Sequence, residues 1–372
     1  MKIIPLFFPF AGCRYRCVFC DEHLLTGQRR IPTMESIVER LGRFRFHMRS
    51  EESYQVAFYG GSFLSLGMEM ITDYFETVLK NIPDAKFDGL RLSTTPNSIN
   101  EDTINLLKSY PVKLIEMGVQ SFDDNVLRLS KRPHSVRQVY AAAELLKSSG
   151  IEFAVHLMTG LPGSTVSAEL FSAQETFRIG ASECRLNPTL VLKGTELEER
   201  IEQGLYRAQS IDDAIDSLWR MYVLLEGAGV RVIRMGLCLD NKCDSDKVVA
   251  GPYHPAIGDL VLSRVAFEML FLLCSKGKKE YILLPVTRQQ RSFFTGHRRM
   301  VERLLEQSGI RVEYKIVDDA VLDTGQLLED LRFCVSGGEV NEAFLDPPER
   351  VQELCASDEA EYIGRDHVSC RT

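Results

Sequence analysis

The sequence predicts an α/β fold in which parallel strands form a barrel. Over roughly the first two hundred residues, strand-like and helix-like segments alternate about six times. Apolar runs such as Tyr54–Tyr59 suit strands that are buried on both faces. Each unusual short sequence follows a predicted strand, and the loops after the strands of a parallel barrel share one rim. The pattern therefore favours a (β/α) barrel over a doubly wound sheet.

Apolar runs and helix caps define the predicted elements in order. A charged first turn starts a helix at Thr33, Asn100 caps a later helix, and Gly150 ends a long helical region. The predicted strands of the barrel are residues 3–8, 54–59, 89–93, 113–117, 152–158 and 183–186. Its predicted helices are residues 33–48, 68–79, 100–109, 123–149 with a break near Pro133, and 167–178. A helix at 265–275, a strand at 279–285, a helix at 297–308 and a strand at 310–317 predict a small α/β appendage.

Composition sets the broad class of the protein. The chain has 372 residues, of which 45% are hydrophobic and 26% charged, as in soluble globular proteins with one large domain and a smaller one. No apolar run approaches the ~20 residues of a membrane span. Ten cysteines without a secretory signal predict a reducing compartment, the cytoplasm. The net charge of -8 excludes a surface that attracts nucleic acid as a whole, so such a site would be a local patch.

Three cysteines near the start form the most informative motif. Cys13, Cys17 and Cys20 stand at C-x3-C-x2-C spacing, and three thiolates on one loop can hold three irons of a cubane iron–sulfur cluster. An open fourth iron is useful only if something else binds there. Zinc would prefer four ligands, usually in two C-x2-C pairs, although ordinary thiols or a partial zinc knuckle remain alternatives. Cys184, Cys238 and Cys243 are too scattered to favour a second cluster.

The cysteine loop resembles that of the radical S-adenosylmethionine (SAM) enzymes, and the likeness extends over about residues 3–265. Several strand-end motifs resemble the Elongator catalytic-subunit branch, among them GVQS at 118–121 and GPYHPA at 251–256. The resemblance implies an open six-unit partial barrel, (β/α)6, with a ring from Phe19 against the cluster. It implies SAM contacts from Gly60, Gly61, Ser62, Ser93, Gln120, Arg132, Gly160, Leu161 and Pro162. Ser62 stands where many members of the superfamily have Glu, and the hydroxyl there points toward the Elongator branch. The chain departs from the branch at Thr95, Asn97, Pro133 and Asn187.

The resemblance also implies a domain order and a reaction. The core barrel would cover residues 1–195, a core-closing extension 196–275, the appendage 276–333, and a poorly ordered tail 334–372. A 4Fe-4S cluster, reduced by a flavodoxin- or ferredoxin-type donor, would cleave SAM to methionine and a 5′-deoxyadenosyl radical that abstracts a hydrogen atom. The residues beyond the core are too few for the acetyltransferase domain of the full Elongator subunit, so acetyl transfer is not expected.

The substrate stays open between several interpretations. A tRNA base is favoured by the resemblance and by basic residues interleaved with aromatics at 288–299, which suit phosphates and stacked bases. A small metabolite or a protein side chain is the alternative substrate, and a non-catalytic iron–sulfur or zinc scaffold is the alternative class. The candidate substrate residues are His156, Tyr253, His254, Arg298 and Arg299. A core histidine, a rigid loop and a solvated cationic loop are the corresponding purely structural interpretations.

Overall fold

The computed structural model describes residues 2–47, 53–82, 86–237, 245–277, 279–319 and 322–337. The strands of this part are β1 (Lys2–Phe7), β2 (Tyr54–Tyr59), β3 (Phe87–Thr94), β4 (Val112–Gln120), β5 (Glu152–Thr159), β6 (Glu183–Pro188), β7 (Val191–Leu192), β8 (Arg231–Met235), β9 (Val248–Ala250), β10 (Tyr281–Val286) and β11 (Arg311–Ile316). The α-helices are α1 (Glu22–Thr26), α2 (Met34–His47), α3 (Met68–Asn81), α4 (Glu101–Lys108), α5 (Asp124–Leu129), α6 (Val136–Ser149), α7 (Val166–Arg178), α8 (Glu196–Glu202), α9 (Ile211–Glu226), α10 (Ile257–Gly277), α11 (Arg288–Thr295), α12 (Met300–Gln307) and α13 (Thr324–Gly337).

A seven-stranded parallel sheet forms a half-barrel, which confirms the predicted fold class. Its strand order is β1-β2-β3-β4-β5-β6-β8, so neighbours in the sheet follow the chain. The sheet has one strand more than predicted, because β8 reads RVIRM and its two arginines interrupt the apolar run. Strands β7 and β9 form a separate antiparallel pair. Helices between consecutive strands cover the outer face, as parallel connections require.

Contacts between distant strands show how strongly the sheet curves. Arg91 on β3 lies 3.2 Å from Glu183 on β6, although three strand spacings of a flat sheet would separate their backbones by about 14 Å. Both side chains therefore point into the concave face, where Glu116 on β4 also pairs with Arg91 at 2.9 Å. The hydroxyl of Tyr59 donates to Glu116 over 2.8 Å. These pairs compensate charges that would otherwise be costly to bury inside a barrel.

The outer face of the sheet is apolar. Phe58 of β2 and its neighbours Phe8, Phe63 and Phe75 are completely buried. The rings of Phe8 and Phe63 meet edge to face with centroids 5.2 Å apart, a favourable arrangement for aromatic pairs. Burying each such side chain contributes about 1.5–3 kcal/mol. This aromatic core anchors the ends of β1 and β2, which lead directly into the cysteine loop and the Gly60-Gly61 turn.

The chain divides into two compact units, the first being 1–208 with 228–251 and the second 209–227 with 252–372. In the second unit, β10 and β11 pair in parallel as the core of the predicted appendage. Helix α13 extends to Gly337 and so includes Cys334, which the sequence assigned to a poorly ordered tail. Buried Leu327 and Leu331 give this helix an apolar face. Residues 338–372 of that tail lie outside the described residues. The predicted domain boundaries stay predictions. In the described part of the chain, no helix is long and apolar enough to span a membrane.

Candidate active site

The cysteine loop leaves β1 at one rim of the half-barrel. Cys17 and Cys20 are half-buried and Cys13 is exposed. Phe10 and Gly12 adopt positive φ values of 56° and 70°, which fold the loop back on itself. The charge on each thiolate acts on its neighbours, since Cys13 and Cys17 both raise the pKa of Cys20, after the larger effect of burial and the effect of Glu22. Among the described residues, no three His, Cys, Asp or Glu side chains are grouped to hold one metal ion.

Backbone hydrogen bonds and one aromatic side chain hold this loop from the opposite side. The amide of Val18 donates to the carbonyl of Ser130 over 3.2 Å, and the amide of Leu197 donates to Val18 over 2.9 Å. Phe19 packs against two apolar clusters, one containing Val18 and Leu197 and the other containing Met158. The predicted cluster residue Phe19 is therefore also a packing residue that joins the cysteine loop to the barrel.

Glu22, which the sequence analysis did not single out, joins the cysteine loop to the end of β2. Its carboxylate accepts hydrogen bonds from the amide of Gly61 at 2.7 and 2.9 Å and from the amide of Phe10. Burial raises the pKa of Glu22, and the two backbone donors partly offset this effect. The position immediately after C-x2-C-D carries no signal of its own, because the partners lie 12 and 39 residues away in the chain.

The Gly60-Gly61 turn has no room for side chains. Its φ values are 91° and 59°, and a Cβ on Gly61 would overlap the backbone of Ala11 in the cysteine loop. A Cβ on Gly12 would likewise overlap the carbonyl oxygen of Ser62. Two glycine positions, one on each segment, therefore allow the cysteine loop and the end of β2 to pack backbone to backbone.

Ser62 belongs to a buried cluster of hydroxyl groups. Its Oγ lies 2.9 Å from the Thr95 hydroxyl, 3.0 Å from Ser65 and 3.2 Å from Ser98. The uncharged side chains of Ser62 and Thr95 therefore contact each other directly, and Thr95 is one of the departures from the branch. Ser93, another predicted SAM residue, lies half-buried near the end of β3.

Gln120 and Arg132 lie beside the cysteine loop. Arg132 donates from Nη1 to the sulfur of Cys17 over 3.0 Å and from Nη2 to the carbonyl of Gly118 over 2.6 Å. Gln120 is 5% exposed and ends β4 with a φ of 67°. Within the described residues, Gln120 Oε1 and Arg132 Nε are buried without a hydrogen-bond partner. Buried polar groups rarely lack a hydrogen-bond partner, and a ligand that binds at the site is one standard explanation when they do.

The Gly160-Leu161-Pro162 turn follows β5 at the same rim. The amide of Gly160 donates to Glu169 over 2.7 Å, and its carbonyl accepts from the Tyr206 hydroxyl over 2.6 Å. Leu161 is buried in the cluster that Phe19 contacts. The structure thus gathers the three cysteines and the strand-end residues at 60–62, 120, 132 and 160–162 at one edge of the half-barrel.

The candidate substrate residues are divided between the two units. His156 lies on the concave face of the half-barrel, whereas Tyr253, His254, Arg298 and Arg299 belong to the second unit. There the rings of His254 and His297 meet edge to face, 6.1 Å apart. Arg298 and Arg299 are exposed, but Phe294, expected among the stacking aromatics, is fully buried. Cys184 is buried in the core, and Cys238 and Cys243 lie outside the described residues.

A parallel half-barrel with a three-cysteine loop at its rim defines a class of cofactor-dependent enzyme folds. Two family descriptions match in sequence: the Radical SAM superfamily over residues 7–171 and the radical SAM C-terminal domain over residues 181–266. The chain belongs to the radical SAM superfamily. This membership implies an iron–sulfur cluster and SAM as cofactors, as well as an external reductant.

Several named relatives lie in the Elongator-like branch, and the similarity to them is partial. A tRNA uridine(34) acetyltransferase of Methanocaldococcus infernus is 34% identical over 131 residues, which cover 34% of this chain and 24% of that protein. Elongator complex protein 3 of Dictyostelium discoideum is 26% identical over 198 residues, covering 47% of this chain and 35% of that protein. A solved structure of the archaeal Methanocaldococcus infernus Elp3 shares the fold, with a TM-score of 0.55 at 20% identity over 74% of this chain and 63% of that one. This chain therefore spans about a quarter to two thirds of the length of these relatives.

Proposed function

We propose that this protein is a radical SAM enzyme whose cluster is a 4Fe-4S centre held by Cys13, Cys17 and Cys20. When bound, the reduced cluster and SAM supply methionine and a 5′-deoxyadenosyl radical for hydrogen abstraction. The residues of this chain hold and orient that cofactor pair and keep it at the rim of the half-barrel. A flavodoxin- or ferredoxin-type protein is the proposed electron donor.

The C-x3-C-x2-C loop at the rim of the half-barrel carries this proposal. Its thiols lie close enough to interact, since Cys13 and Cys17 both raise the pKa of Cys20. Three thiolates can hold three irons of a cubane cluster and leave the fourth iron open, whereas a structural zinc site takes four protein ligands. The match of residues 7–171 to the radical SAM superfamily favours the cluster over the partial zinc knuckle.

The neighbouring residues fit the second cofactor. Among the proposed SAM residues, Arg132 combines a contact to Cys17 with a buried free Nε. A guanidinium in that place neutralises thiolate charge and still offers a donor to a carboxylate. Gln120 adds a buried oxygen that lacks a donor. We therefore assign the SAM methionine group to the side of Arg132 and the ribose to the side of Gln120.

Cysteine variants test the cluster assignment. After anaerobic reconstitution, the natural protein should bind about four irons per chain, and Cys17→Ala should lose most of that iron. Cys334→Ala is the matched control, since Cys334 lies on α13 in the second unit and should keep full iron content. A Cys17→Ala protein with undiminished iron, or a colourless natural protein that binds zinc, would overturn the assignment.

For the substrate we propose a tRNA base, supported by the tRNA uridine(34) acetyltransferase among the relatives and by the exposed Arg298 and Arg299. Only the radical step is carried over, because the match covers 24% of that relative. If both arginines contact phosphates, Arg298→Glu/Arg299→Glu should weaken tRNA binding and reduce the salt slope by about 2. The control is Arg43→Glu/Lys80→Glu, which reverses two exposed charges on α2 and α3. Equal binding by both double variants would favour a small-molecule or protein substrate.

A further inference from the structure

A row of three polar side chains crosses β6, β5 and β4 toward the cofactor rim. It starts at Asn187 on β6, whose Nδ2 donates to the carbonyls of Gly236 at 3.1 Å and Leu186 at 3.0 Å. Its Oδ1 then accepts from Nε2 of His156, on β5, over 2.8 Å. The opposite amide orientation would place Oδ1 against two carbonyl oxygens. The two backbone carbonyls therefore fix the direction of this first link.

His156 keeps the same donor-to-acceptor order along the row because its neutral ring carries a single N–H proton. Burial lowers the pKa of His156 to about 3, and the positive charges of Arg185, Arg132 and Arg234 act in the same sense. The neutral ring has one N–H and one acceptor nitrogen. Since Nε2 donates to Asn187, Nδ1 must be the acceptor.

Gln120 is the last side chain of this row, and His156 sets the orientation of its amide. Its Nε2 lies 3.5 Å from Nδ1 of His156, a long contact in which only the amide can donate. A bulge between Gly118 and Gln120 shifts the register of β4 against β5 and brings Gln120 opposite Leu157, next to His156. The positive φ of Gln120 costs on the order of 1 kcal/mol. The surrounding contacts must therefore hold this backbone conformation in place.

The last atom of this row of hydrogen-bonding side chains is then Gln120 Oε1. With Nε2 turned to His156, Gln120 Oε1 is left buried without a hydrogen-bond partner in the described part of the molecule. An amide oxygen accepts hydrogen bonds and repels carboxylates. The sequence alone left open whether Gln120 meets a hydroxyl or a carboxylate of the cofactor.

We propose that Asn187 and His156 are positioning residues that make Gln120 a hydrogen-bond acceptor for a ribose hydroxyl of SAM, and not a partner of its carboxylate. The inference rests on the proposed function, because it requires SAM at this rim. Gln120 touches the cofactor, and the other two residues act through it. The selectivity of the site for the ribose hydroxyl is thus set by two backbone carbonyls on the far side of β5.

Binding of SAM and of its 2′-deoxy and 3′-deoxy analogues tests this proposal without turnover. Measured on the reconstituted, unreduced protein, one deoxy analogue should bind roughly tenfold more weakly than SAM, since it leaves Oε1 unsatisfied. In His156→Phe that preference should fall to about onefold. His156→Gln retains one donor and one acceptor, and it should restore most of the preference. Equal binding of SAM and both analogues by the natural protein, or an unchanged preference in His156→Phe, would overturn the proposal.

The ring tautomer provides a second measurement that does not need SAM. Nitrogen-15 NMR of histidine-labelled protein should show His156 protonated at Nε2 and unprotonated at Nδ1, with no titration between pH 5 and 9. A ring protonated at Nδ1 would reverse the order of donors and acceptors along the row and contradict the proposal. If SAM does not bind at all, the proposed function fails. The tautomer of His156 still decides whether the hydrogen bonds run from His156 to Asn187 and from Gln120 to His156.

Discussion

Glu22 gives the sharpest structural prediction, because one side chain joins the two segments on which the cofactor site depends. In Glu22→Ala, the amides of Phe10 and Gly61 lose their acceptor. A hydrogen bond to a charged group contributes about 1.5–3 kcal/mol, so two would contribute about 3–6 kcal/mol. Burial already disfavours the ionised carboxylate, as its raised pKa shows, and this offsets part of the gain. The free energy that holds the cysteine loop against the end of β2 should therefore fall by about 2–4 kcal/mol.

The assay follows both the loop and the whole fold. Iron and sulfide per chain after anaerobic reconstitution report on the loop, and the thermal unfolding midpoint reports on the fold. Glu22→Ala should lose most of its iron, and Glu22→Gln should retain more, because its one amide oxygen can still accept. Glu39→Ala is the control, since Glu39 is exposed on α2. If Glu22→Ala matched this control in both iron content and midpoint, the assigned role of Glu22 would be wrong.

Three further predictions concern two buried titratable groups and the close packing at Gly61. Glu116→Gln should destabilise the protein by about 3 kcal/mol, because Arg185 loses this carboxylate partner and Arg91 retains only Glu183. Exposed Glu69→Gln should be neutral in thermal unfolding. Burial also lowers the pKa of His134 to about 3, so the native state resists protonation and stability falls as pH drops below the unfolded value of about 6.5. At pH 5 the loss from His134 alone should be about 2 kcal/mol, and His134→Gln should remove that part of the loss. An equal pH dependence of the unfolding midpoint in the natural protein and in His134→Gln would contradict this. Gly61→Ala should abolish iron binding, and a fully loaded variant would refute the close packing of the two segments.

The fold was predictable where sequence pattern and local caps agree. Apolar runs such as β2 and the capped start of α4 at Asn100 gave elements close to those observed. Strand β8 was missed because its arginines obscure the apolar pattern, and an edge strand can carry such residues. Helices α9 and α13 were missed as well, although α9 buries Leu218 and Trp219. Their apolar faces follow helical spacing, so a closer search for that period would have found them.

The site was predictable only in its local motifs. The cysteine spacing and the paired glycines can be recognised within a few residues of sequence, because metal-binding loops and tight backbone turns are local features. Glu22, the Tyr206 bond to Gly160, and the row through Asn187 depend on partners tens of residues away. His156 shows the same limit, since the sequence could not decide whether it met substrate or other side chains. The structure shows its polar neighbours, which no spacing rule contains.

The most direct test of the central proposal is SAM cleavage by the protein itself. Reconstituted without air, reduced with dithionite and incubated with SAM, the natural protein should form 5′-deoxyadenosine and methionine in equal amounts. Cys17→Ala should form neither above background. Formation of 5′-deoxyadenosine would establish the radical chemistry without knowledge of the substrate. A fully loaded, reduced protein that binds SAM and leaves it intact, with and without tRNA, would contradict it.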